Sequence, residues 1–312
     1  MSAIASHPSP VLTEPLRRIG RLPAPHRFLI ACGLLLLVSA AFHGIVYLTS
    51  GTSWEGPLSW RKPILFGFSF GITAVTIGLI AANLRMRIGL AWGLLGSLGV
   101  ASVAETALIT MQTWRSVPSH FNFATAFDSA VFSAMGGLVS IVALALVVLT
   151  ILTFTSLRTD SPSLAWAIRW GMVLLLVGQA LGGAIISAGV PAVITGDEAA
   201  VFGPEGVVFG EAGILKSPHG VAMHAIQVLP LLAWLAGRAG WAERGRMRAV
   251  LCAIVGYTVL LGVSSFQAFT GQATLALAVP ALAVAGVGAA LVVIPSTAVA
   301  VSLVHRLVRR GL

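Results

Sequence analysis

Charge is what this chain has least of. Charged residues make up 9% of its 312 positions, against roughly 25% in an ordinary soluble domain, and the mean hydropathy is +0.95. A surface wetted on all sides cannot be assembled from such a composition, which excludes a soluble globular protein. Cysteine is almost missing as well. Cys32 and Cys252 both lie inside apolar stretches and share no CxxC spacing, which excludes disulfide-exchange chemistry. There is no HExxH signature for a zinc hydrolase, no lipidation motif and no polar block large enough for a soluble domain. Acidic residues number only 10 against 19 basic ones, giving a net charge of +9. In a soluble protein that imbalance would suggest nucleic acid. Here the basic residues stand in short clusters at the ends of apolar runs, so the charge reads as membrane topology and no nucleic-acid partner is expected.

What the chain does have is apolar runs of about 20 residues, the length needed to cross ~30 Å of hydrocarbon. Eight can be marked, at 28–49, 64–84, 89–113, 130–156, 165–194, 219–237, 249–269 and 274–303. They predict an all-α, polytopic transmembrane helix bundle of about eight spans, with the lipid bilayer as its principal partner. The organisation expected is a tail over 1–27, a single bundle over 28–303 and a basic tail over 304–312. Arg17, Arg18 and Arg21 before a Leu-rich run, with Val38-Ser39-Ala40 beyond it, resemble a cleaved signal peptide. The run continues through Ile45, Val46, Tyr47 and Leu48, however, so an uncleaved first span is expected. Pro295 interrupts the last segment, leaving Ser296–Arg310 either as its continuation or as a helix on the membrane surface.

Orientation follows from the cations. Arg17, Arg18, Arg21, Arg27, Arg85, Arg87, Arg158, Arg169, Arg238, Arg244, Arg246, Arg248, Arg306, Arg309 and Arg310 fall on one side, and Arg61, Lys62, Arg115 and Lys216 on the other. The positive-inside rule places the larger group and both termini in the cytoplasm, as expected for a multi-pass protein of a bacterial inner membrane. Small residues at helix-packing spacing, Gly178 with Gly182 and Ser133 with Gly137, fit close helix contacts in lipid.

Polar side chains collect in the outer halves of the spans. His43 lies in span one, Glu105 and Gln112 in span three, and His219, His224 and Gln227 in span six. Glu105 and Gln112 are two helical turns apart on one face, and His224 and Gln227 are neighbours on theirs, with His219 pointing elsewhere. An ionised carboxylate deep in a span costs roughly 2.5 to 3.5 kcal/mol on insertion scales, so Glu105 is either protonated or met by a basic or hydrated partner. The simpler alternative for Glu105 is a hydrogen bond that fixes helix packing; for the histidines it is a neutral, buried imidazole.

The outer loops add further candidates. Trp54 to Pro63 places Arg61 and Lys62 against the topological bias, fit to bind a carboxylate, a phosphate, a haem propionate, Asp128 or lipid headgroups. The stretch from Arg115 to Asp128 mixes His120, Asn122, Thr125 and Asp128 with three phenylalanines, as a segment folded into a pocket or an interfacial cap with Asp128 capping span four. The long, Gly-rich and acidic Asp197–Ser217 loop has the character of a lid.

Trp60-Arg-Lys-Pro63, Glu105 followed by Gln112, Ser119-His-Phe-Asn122 and His224-Ala-Ile-Gln227-Val-Leu-Pro230 resemble a family of uncharacterised bacterial integral membrane proteins, over roughly residues 40–235. The resemblance implies membrane location and marks these residues, and it implies no reaction. Length, eight spans and bundle histidines are also similar to haem A synthases. Those enzymes carry histidines in both halves, whereas spans two, four, seven and eight here have none except His305 at the inner end, so one haem at most could be held.

No catalytic residue is assigned, and besides an assembly or packing partner with no chemistry of its own three readings stay open. In the first, His43 and His224 hold haem b or a divalent metal for redox chemistry, with Glu105 and Gln112 beside them. In the second, the protein is a transporter or binding protein for a small anionic molecule. In the third, it is an intramembrane zinc hydrolase drawing ligands from His43, His120, His219 and His224, with Glu105 or Asp128 as base.

Overall fold

The computed structural model describes residues 19–56, 58–197, 201, 213–273 and 276–309. Among these, eight helices are long and apolar enough to cross a membrane: α1 (Ala24–Ser50), α2 (Arg61–Ala81), α3 (Ile88–Trp114), α4 (Ala126–Thr155), α5 (Pro162–Ile194), α6 (Lys216–Arg238), α7 (Glu243–Phe269) and α8 (Val279–Arg309). The protein is therefore the all-α, eight-span bundle the sequence predicts, and its exposed Leu, Ile, Val and Phe side chains form the lipid-facing surface. The end carrying the Arg-rich loops is called inner, the other outer.

Helix starts are set by local chemistry. Thr125 sits extended before α4 and its hydroxyl accepts from the Asp128 amide at 3.1 Å. Thr125 is thus the cap, and Asp128 belongs to the first turn instead of occupying the capping position expected for it. Ser161 caps α5 with Pro162 in its first turn, and Glu243 from α7 accepts the Ser163 amide at 2.6 Å, tying α5 to α7 at the inner end. One π-helical turn, Trp92–Gly96, lies in α3.

Most helices begin a few residues before the apolar segments, whereas α2 ends at Ala81 and α8 begins at Val279. α1 begins at Ala24, behind Pro23, because the flanking residues continue the hydrogen-bonded backbone at no cost in hydration near the headgroups. α8 passes through Pro295 without ending and continues to Arg309, so Ser296–Arg309 extends the span and does not form a separate surface helix. Arg306 then donates to the Arg238 carbonyl at 2.9 Å.

The closest seams join α1 to α2, α5 to α6 and α7 to α8. In the first, Gly33 and Gly71 lie back to back: a Cβ on Gly33 would stand 2.7 Å from the Gly71 carbonyl oxygen. In the second, Gly178 receives Met223 and Gly182 receives the His219 ring, as the small-residue spacing predicts. Ser133 and Gly137 differ, being exposed on the outside of α4. The main core, built around Leu29, Ile77, Leu95, Leu146, Leu149, Met172, Leu175 and Ile226, connects α1–α6 in the inner and middle parts of the bundle.

Candidate functional site

The outer end is organised by the loop after α3. Gln112, fully buried, donates its amide to Asp128 Oδ1 at 2.9 Å, and Arg115 Nη1 donates to the same oxygen at 2.7 Å and to Gln112 Oε1. Thr125 Oγ1 donates to Asp128 Oδ2 at 2.6 Å. The Arg115 guanidinium also lies over the Phe127 ring, 4.8 Å from its centroid. Asp128 is thereby consumed by its own loop and helix, and neither Arg61 nor Lys62 takes it. Arg61 instead pairs with Glu55, which is 70% exposed, so that this ion pair contributes little.

Lys62 turns inward towards the loop. Its Nζ donates to Ser119 Oγ at 3.2 Å, and that hydroxyl donates in turn to His120 Nδ1 at 3.1 Å. Ser119 is buried and His120 half-buried, with the rings of Phe66, Phe121 and Phe132 centred 5.7, 6.4 and 6.0 Å from the imidazole. Burial among these rings, together with the positive fields of Lys62 and Lys216, pushes the His120 pKa down from 6.5 to about 3. His120 is therefore a neutral imidazole at physiological pH, in the field of cations from both α2 and α6.

The loop is held in place by backbone and packing. Asn122, buried, donates to the Pro118 carbonyl at 3.0 Å and accepts from the Ala124 amide at 3.1 Å, a turn-forming role instead of a ligand-facing one. Phe121 adopts a left-handed backbone with φ of 59°, a conformation that a bulky residue holds only when packing enforces it. That packing comes from Gly189 of α5, where any Cβ would stand 2.6 Å from the Phe121 ring.

His43 and His219 are each held by a neighbour of their own. His43 Nδ1–H donates to the Ser39 carbonyl at 2.7 Å, and its Nε2 accepts from Trp114 Nε1 at 3.3 Å. The ring stacks on Trp60 at 5.8 Å and meets Trp114 edge-on at 6.4 Å. With both nitrogens engaged, ligation of iron or metal by His43 requires loss of the Trp114 bond. His219 Nδ1–H donates to the Gly178 carbonyl at 2.7 Å and so fastens α6 to α5. His224 is half-buried one turn from Gln227. With its amide oriented to satisfy both ends, Gln227 accepts from Thr73 of α2 at 3.2 Å and donates to the Met223 and His224 carbonyls at 3.3 and 3.1 Å. Among the described residues no three His, Cys, Asp or Glu side chains come together as a metal site, so the zinc-hydrolase set is not assembled.

Glu105 stands apart from all of these. It is 1% exposed on the buried face of α3 with Ser102, Thr106, Ile109 and Gln112, and its Oε2 has no hydrogen-bond partner. The expected lid falls largely on 198–200 and 202–212, outside the described residues.

Trp114, which with Trp60 encloses His43, was not singled out from the sequence, and Trp60 and Ser119 entered only through the resemblance motifs, without the contacts to His43 and between Lys62 and His120 that the structure gives them. Lys216 was legible only as one of four outer cations. No family model, curated protein or solved structure matches the chain.

Proposed function

We propose that this multi-pass membrane protein, seated in a bacterial inner membrane, binds a small anionic molecule that reaches it from the outer side. The observation that carries the reading is the Lys62–Ser119–His120 relay, set in the fields of Lys62 and Lys216 and walled by phenylalanine. A neutral imidazole and a hydroxyl supply directional hydrogen bonds, the cations supply attraction, and the aromatic wall lowers the local dielectric that strengthens both.

The inner halves of the spans carry no continuing row of charged side chains, which favours binding at the outer end over conduction through the bundle. Glu105, nearly three helical turns below this loop on α3, is the group through which occupancy would be felt deeper in the bundle.

The test uses the full chain in proteoliposomes, with inorganic phosphate and succinate as probes and glycerol as the uncharged control, read by tryptophan fluorescence. Saturable, salt-sensitive binding of at least one anion is expected, weakened about tenfold or more in Lys62→Met. Responses to both anions that match glycerol, or that persist unchanged in Lys62→Met, would overturn the reading.

A further inference from the structure

The inner end carries a second cationic feature, unrelated to the outer loop. The connections α2–α3 and α4–α5 are clasped by an antiparallel bridge between Leu84 and Leu157. Arg85 N–H donates to the Ser156 carbonyl at 3.0 Å and Arg158 N–H to the Asn83 carbonyl at 2.8 Å. Leu84 and Leu157 face the main core. Alternation along extended backbone therefore sends Arg85 and Arg158 together to the opposite, water-facing side.

The clasp floors a recess of about 570 Å³ lined by Ala82, Asn83, Leu84, Arg85, Met86, Arg87 and Arg158. The recess is open on its water-facing side and wide enough for a group the size of phosphate. No acidic residue lines it, and among the described residues none of its three arginines forms an ion pair. Topology alone asks only that cations lie on this side of the bilayer. It does not require that two of them, from different loops, be fixed side by side by backbone pairing with a third, Arg87, two residues along on the same concavity.

We infer that this recess binds an anionic phosphate group through Arg85, Arg87 and Arg158. Guanidinium forks suit phosphate oxygens, and a rigid clasp reduces the ordering cost that flexible surface arginines would incur. The same chemistry is offered by an anionic phospholipid headgroup at the membrane surface and by a soluble phosphate.

The experiment uses the purified full chain. Native mass spectrometry from mixed phosphatidylglycerol and phosphatidylcholine nanodiscs reads retained lipid, and calorimetry with inorganic phosphate reads the soluble source. Two variants are compared, Arg85→Gln/Arg158→Gln in the recess and Arg244→Gln/Arg248→Gln elsewhere on the inner end, where both side chains are exposed. A third, Arg85→Lys/Arg158→Lys, keeps the charge that directs insertion while losing the forked geometry.

Selective retention of phosphatidylglycerol, lost about tenfold in the recess Gln variant and partly in the Lys variant but kept in the Arg244/Arg248 variant, assigns the headgroup. Phosphate binding with the same variant pattern and no lipid preference assigns the soluble source. Equal losses in both Gln variants, or no loss in the Lys variant when it is correctly inserted and the Gln variant is misfolded, would overturn the proposal, as would absence of binding by both probes.

Discussion

The neutral state of His120 yields a prediction whose size follows from the structure. In the unfolded chain the imidazole protonates near 6.5, and in the folded protein it remains neutral down to about 3. Between those values the unfolded chain binds more protons, so this residue makes the protein less stable as the pH falls from 6.5 towards 3. At pH 5 the unfolded imidazole is almost wholly charged, and the linkage integral amounts to about 2 kcal/mol. For a bundle of this size that corresponds to about 4 °C in Tm.

The assay is thermal unfolding in detergent micelles at pH 7.5 and 5.0, followed by tryptophan fluorescence, for the wild type and His120→Phe. The substitution keeps an aromatic ring among Phe66, Phe121 and Phe132 and removes the titration together with the hydrogen bond from Ser119, a loss that enters at both pH values alike, so it and the contributions of other groups cancel in the difference between the two slopes. The wild type should lose about 4 °C more than the variant on acidification. Equal slopes, or a His120 ring that titrates near 6.5 when followed by nitrogen NMR, would refute the argument. An anion seated beside His120 favours its protonated form, so by reciprocity anion affinity should rise as the pH falls.

Two further outcomes test the packing around the site. Gly171→Ala would place a Cβ 2.9 Å from Ile226 Cα, a backbone atom that cannot move aside, whereas a Cβ on Gly183 meets nothing within 4 Å. The first substitution should destabilise by about 1–3 kcal/mol and the second stabilise by up to about 1 kcal/mol; thermal unfolding of the pair decides, and a gain from Gly171→Ala would mean that α5 and α6 are not so close. Trp114→Phe removes the donor to His43 Nε2, so His43 should be modified by diethylpyrocarbonate several-fold faster than in the wild type, in which an already rapid reaction would show that the bond does not form.

The eight spans were readable because they are written in composition. Apolar length predicts a crossing, and it does not depend on which helix touches which. Gly178 and Gly182 meet the close neighbours their spacing suggests, but the spacing alone does not decide it, since Ser133 and Gly137 share it and lie exposed. The site was less accessible. Gln112, Arg115 and Asp128 could each be picked out as polar residues in an apolar setting, but their joining depends on the turn through Ser116 and Phe121, both at positive φ. Once that turn folds back, Arg115 is nearer to Asp128 than any cation of the first outer loop can be. Trp60 and Trp114 read from the sequence as ordinary interfacial tryptophans, and only the packing of α2 and α3 beside α1 turns them into walls around His43. Ser119 stands in one of the motifs that carry the resemblance, yet nothing local to it signals its role, which arises from a lysine 57 residues earlier.

Glu105 offers the sharpest separation between a structural and a functional use of a buried polar group. A carboxyl kept for packing should be fully hydrogen-bonded, and replacing it should weaken the bundle. Here Oε2 is buried without a partner, a condition that costs about 1–3 kcal/mol. Leucine fills a similar volume and carries no such cost, so Glu105→Leu should raise thermal stability by an amount of that order. A side chain that lowers stability where an apolar one would serve is held for another reason, as at sites where activity is maintained against stability. The accompanying expectation is that Glu105→Leu alters the pH dependence of anion binding at the outer loop while leaving the protein folded and inserted. If the substitution instead lowers Tm, the carboxyl is satisfied in the membrane by a neighbour or a water, and Glu105 belongs to the packing of α3.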